Sequence, residues 1–89
     1  MMTPTIHMNG TSRNSLLDEI NDAMRALSVA LEKLALMAPN ARDYYPQGEE
    51  AFGKARQEHA NRLTSVRKVR EELKTLAESI LDDFAGPAR

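Results

Sequence analysis

Both tyrosines of this chain stand side by side in one segment, Pro39-Asn40-Ala41-Arg42-Asp43-Tyr44-Tyr45-Pro46, bounded by prolines. Gly, Ser and Asn suffice to turn a chain. An Arg, an Asp and two Tyr add apolar area and charge that a simple turn does not need, which points to contact with another molecule. Arg42 can fork onto a phosphate or carboxylate, and Tyr44 or Tyr45 can stack on a base. Asp43 can read amino or sugar hydroxyl groups, or hold Arg42, and Asn40 opens the segment. A tyrosine can also close the end of a helical bundle. We expect that structural use of one ring, and ligand or partner contact from the other.

A second candidate site is Asn9-Gly10-Thr11-Ser12-Arg13. Gly10 lets the backbone turn tightly, and the N–H groups at a helix start favour anions. Thr11 and Ser12 are also ordinary helix caps. Capping does not explain Arg13, a cation at the positive end of a helix dipole. Further on, His59 and Arg62 occupy positions of an apolar seam where Leu or Val is usual. Polar seam residues can set register or oligomeric state. One turn apart, the two are expected to face the same way. Arg62 then needs an anion, either Glu32 or a bound phosphate or carboxylate.

Catalytic chemistry is poorly supplied. The chain has no Cys, no Ser-His-acid spacing, no Gly-rich phosphate loop and no metal-ligand cluster beyond the isolated His7 and His59. We therefore expect no enzyme, no metal and no cofactor.

The elements that must position these residues are two helices. Leu16, Ile20, Ala23, Leu27, Ala30, Leu34 and Met37 recur at helical spacing, with Leu17, Met24 and Leu31 widening the stripe. Thr11 or Ser12 is the expected N-cap, and Pro39 disfavours helix ahead of it. The first helix is thus predicted over about 13–38. Gly48-Glu49-Glu50 suits a second start, and Gly86-Pro87 a stop, giving about 49–85. Phe52, His59, Val66, Leu73 and Ile80 recur every seven residues, with Ala55, Arg62, Val69 and Leu76 three later, a coiled-coil-like seam. The predicted fold is an all-α antiparallel helical hairpin. Residues 1–10 form an extended or disordered lead, 11–86 the single domain and 87–89 a tail.

The helices differ in length, about 39 Å against about 54 Å. Helix 2 should overhang at its C-terminal end, or the lead should fold back along it. A two-helix hairpin leaves much of one stripe exposed, so a four-helix bundle or larger homo-oligomer is expected. Asn9–Arg13 and Arg42–Tyr45 fall at opposite ends of one hairpin, so only a second subunit can join them in one pocket.

Composition narrows the partners. Net charge is −1, against wholesale coating of nucleic acid. From Lys54 to Lys74, however, seven basic residues face three acidic ones, a stripe that is usually a solvated helix face. The lack of Cys, of a signal peptide and of a membrane-spanning run fits a protein of the cytoplasm.

His7-Met8-Asn9-Gly10-Thr11-Ser12, then Asn40-Ala41-Arg42-Asp43-Tyr44-Tyr45-Pro46-Gln47-Gly48, then His59 and Arg62 together resemble a family of small, mostly hypothetical tailed-phage proteins. The resemblance spans nearly the whole chain, and the loop is its most specific part. It implies a phage gene product made in a bacterial cytoplasm. By analogy of class, such proteins often counter host defence, some as sponges for cyclic or ADP-ribose-type nucleotide signals. Two functions follow. One is a non-catalytic binder that sequesters a small anionic ligand, a nucleotide signal of the cyclic or ADP-ribose type, through Asn9–Arg13, Asn40, Arg42–Tyr45, His59 and Arg62. The other is a helical interaction module that docks and inhibits a host protein through the Arg/Tyr loop.

Overall fold

The computed structural model describes residues 1–85, with side chains described through Asp82. Two long helices, α1 (Arg13–Ala35) and α2 (Ala51–Ala85), pack against each other, and no strand occurs among the described residues. The expected stop at Gly86-Pro87 and the tail lie outside those residues.

α1 starts where its cap chemistry dictates. Ser12 is extended, its Oγ accepts from the Ser15 N–H at 3.1 Å, and the two hydroxyls are 2.9 Å apart. One of the orphan donors of the first turn is thereby satisfied. The helix ends three residues before the predicted boundary. The N–H groups of Leu36, Met37 and Ala38 donate to Lys33, Leu34 and Ala35, an i→i−3 pattern that tightens the end ahead of Pro39.

The connection is two successive 3₁₀ turns, Ala41–Asp43 and Tyr45–Gln47. Asn40 caps the first, its Oδ1 accepting from the Arg42 N–H at 3.2 Å. Gly48 then takes φ +113°, ψ 164°, a conformation that side-chain-bearing residues rarely adopt. Three residues later α2 begins.

Two bridges fix the register. His59 Nε2 meets the Leu34 carbonyl, and further along α2 Arg70 meets Ser28, further back along α1, so the helices are antiparallel. Counted from Arg70–Ser28, fifteen residues run to Ala85 and fifteen to Arg13; counted from His59–Leu34, twenty-six run to Ala85 and twenty-one to Arg13, so among the described residues α2 reaches at most five residues past the start of α1. Among the described residues the larger part of the twelve-residue excess of α2 lies at its N-terminal end, whereas the sequence leads to the expectation of a C-terminal overhang or a lead folded back along α2. Ala51–Glu58 reaches about 12 Å past α1. The second 3₁₀ turn packs on this overhang, and Ala55 within it is buried.

The core is thin. Ile20, Ala55 and Ile80 are the buried apolar residues among those described, joined by His59. Of the first seam row, Phe52, Val66 and Leu73 are only half-buried; of the second, Leu76 is half-buried while Arg62 and Val69 are exposed. A single hairpin thus covers one row and leaves the middle of the other uncovered. The N-terminal lead is not featureless. Pro4 and Ile6 are half-buried, and His7–Gly10 forms a turn closed by Gly10 N–H donating to His7 O at 3.2 Å. A Cβ at Gly10 would fall 2.7 Å from the His7 ring, so a side chain there would displace it.

Candidate functional site

The connection separates its two tyrosines. Tyr44 is half-buried, whereas Tyr45 is 74% exposed. Asn40, Arg42 and Asp43 are exposed as well, and only Asn40 has a fixed task, the cap described above. Leu36 and Met37, at the start of the same connection, are 81% and 65% exposed. One end of the hairpin thus presents two aliphatic side chains, an aromatic ring and a guanidinium to solvent. Beneath it the overhang carries its own contact, the Arg56 guanidinium 5.6 Å from the centre of the Phe52 ring. A nearby cleft of about 430 Å³ is lined by Gln47–Ala51 and Lys54, not by Arg42 or the tyrosines.

Asn9, Gly10, Thr11 and Ser12 lie at the other end and are exposed. The Ser12 hydroxyl is occupied by the cap. Arg13 is half-buried and has a partner of its own within the fold, so its place at the helix start does not call for a ligand. The length of α1, about 34 Å, separates this group from Arg42–Tyr45. In one chain they share no pocket.

His59 and Arg62 do not converge either. His59 is buried and donates through Nε2 to the Leu34 carbonyl at 2.8 Å. A carbonyl only accepts, so the ring carries its hydrogen on Nε2. That oxygen also takes the Met37 N–H, so the imidazole secures the tightened end of α1 from the neighbouring helix. Arg62 is exposed, and among the described residues no carboxylate, Glu32 included, lies within ion-pair distance of it. Three residues turn a helix by about 300°, leaving a 60° offset. That offset carries Arg62 off the buried seam which holds His59.

One polar pairing escaped the sequence analysis. Arg70, half-buried, donates from Nε to Ser28 Oγ at 2.8 Å, joining α2 to α1. Beside it Ser28, Leu31, Arg67, Arg70 and Glu71 line a cleft of about 340 Å³. The available signal was the spacing of Arg67, Arg70 and Lys74, which places three cations of the basic stripe on one side of α2. Ser28 gave none, since a lone Ser in a helix is commonplace.

Among the described residues no group of three or more His, Cys, Asp or Glu side chains could hold a metal ion. No helix there is long and apolar enough to cross a membrane. No protein-family model matches the chain, and neither does any curated protein or solved structure.

Proposed function

We propose that the chain is a non-catalytic protein-docking module that uses the connection between its helices as the anchor. The carrying observation is the division of labour in Tyr44-Tyr45: one ring is half-buried, the other stands in solvent in a connection whose Leu36, Met37 and Arg42 are exposed as well. Tyr and Arg supply much of the binding energy of protein interfaces, because they bury large area and keep a polar handle. The partner this surface suits is a folded protein with an apolar recess for Tyr45, bordered by a carboxylate for Arg42. The resemblance to small tailed-phage proteins makes that partner a host protein of the bacterial cytoplasm, inhibited by being docked.

The test places a photo-crosslinking side chain at position 45 of the full chain in the cell, with position 65 on the exposed side of α2 as control. A discrete adduct with one protein from position 45, reduced by Arg42→Ala, supports the reading. The same products from both positions would sink it.

Sequestration of a nucleotide signal is the second reading. The uncovered stretch of the seam at Arg62 and Val69 favours it, since a second copy seated there could bring Arg13 of one chain near Arg42 of the other. Sedimentation analysis decides whether that assembly exists, and a chain that stays monomeric at high concentration removes this reading.

A further inference from the structure

The flank of the hairpin offers a site unrelated to the connection. In the 340 Å³ cleft, the Arg70 guanidinium is held by its Nε–H bond to Ser28, which fixes its plane and leaves the Nη hydrogens for another acceptor. Arg67 lies one turn earlier and lines the same cleft. Among the described residues no carboxylate comes within 4.0 Å of either arginine, although Glu71 shares the cleft. Leu31 supplies an apolar wall from α1. Two guanidinium groups against one carboxylate leave a net positive charge along this open cleft.

We propose that this cleft binds the phosphate group of a small phosphorylated molecule. Arg70 and Arg67 donate to separate oxygens of the tetrahedron, and Leu31 packs on the body of the ligand. A carboxylate is the poorer occupant, because it brings one charge and two oxygens to the two guanidinium groups, where a phosphate monoester brings nearly two charges and three free oxygens. The cleft sits near the lower bound of small-molecule pockets, roughly 300–1,000 Å³, which limits the ligand to a phosphate on a small body. Glu71 opposes the anion and sets its affinity below that of a wholly basic site. Nineteen residues of α2 separate Arg70 from Ala51, about 28 Å of helix. The proposal therefore stands or falls apart from the docking surface.

The experiment is a two-dimensional ¹H–¹⁵N NMR titration of the full chain with inorganic phosphate, at constant ionic strength, with acetate as the comparison. We expect saturable shifts confined to Ser28, Leu31, Arg67, Arg70 and Glu71, and a weaker response to acetate. Arg67→Gln, an exposed change that leaves the Ser28–Arg70 bond in place, should weaken phosphate about tenfold. Glu71→Gln should tighten it. Shifts that never saturate, that appear equally at Lys54, Arg56 and Lys68, or that persist in Arg67→Gln would mean an adventitious ion only. Equal affinity for acetate would overturn the phosphate assignment.

Discussion

His59 and Leu34 join the two helices through a 2.8 Å hydrogen bond from the imidazole Nε2 to a main-chain oxygen in the last turn of α1. A buried histidine in a seam row thus acts as a cap delivered from another element. Its polarity is used inside the fold.

That role fixes what its removal costs. His59→Ala deletes the donor and opens space in a thin core, and should lower stability by about 1–3 kcal/mol in urea denaturation. Arg62→Ala, on an exposed position, should stay within about 0.5 kcal/mol. Equal effects would show that His59 is not engaged as described. The ring should also report its hydrogen on Nε2 in long-range ¹H–¹⁵N spectra.

The two glycines around the start of α2 should respond with opposite sign. Gly48 has φ +113°, so Gly48→Ala forces strain of about 1–3 kcal/mol. Gly53 lies inside α2 with open space where a Cβ would stand, so Gly53→Ala should stabilise by up to about 1 kcal/mol. Thermal denaturation of the pair checks both.

Ser12→Ala removes the N-cap of α1 and should cost about 1 kcal/mol, while Ser12→Asp should retain the cap. Loss of helical circular dichroism on mild heating, recovered in the Asp variant, is the expected reading. Indistinguishable Ala and Asp variants would show that the hydroxyl bond is dispensable.

Adjacent tyrosines should separate stability from binding. Tyr45→Ala should leave unfolding within about 0.5 kcal/mol of the parent and abolish partner capture at the connection. Tyr44→Ala should lower stability by more, because its half-buried ring is lost. A folded, fully binding Tyr45→Ala protein would contradict the docking reading.

Helix existence and pairing were legible because period and punctuation agreed. The apolar stripe from Leu16 to Met37 and the heptad from Phe52 to Ile80 each fit one helix, with Pro39 and Gly48 between them. The end of α1 was misjudged by three residues. Leu36 and Met37 continue the apolar pattern, yet the chain tightens there into i→i−3 bonds. How the overhang divides between the two ends was not legible for a related reason. Length alone says how much α2 exceeds α1, whereas its location depends on a bridge from His59 to a backbone oxygen, and backbone oxygens leave no mark in a sequence.

The candidate residues were legible as polar interruptions but not as a constellation. The cap at Ser12 and the exposed loop at Arg42 could be read locally, because both depend on neighbouring residues. The fates of His59 and Arg62 could not, since an offset of about 60° at the seam edge decides which one is buried. The Ser28–Arg70 bridge spans forty-two positions and follows only from the register.

The dimensions of the hairpin, 64 × 19 × 18 Å, have a hydrodynamic consequence. A rod of that axial ratio meets more drag than a sphere of equal mass, so the single chain should elute from a sizing column ahead of its 9.9 kDa. Early elution is therefore no sign of association. Sedimentation, which separates mass from friction, also reads pairing geometry: copies side by side lower the frictional ratio below that of the single chain, and copies end to end raise it.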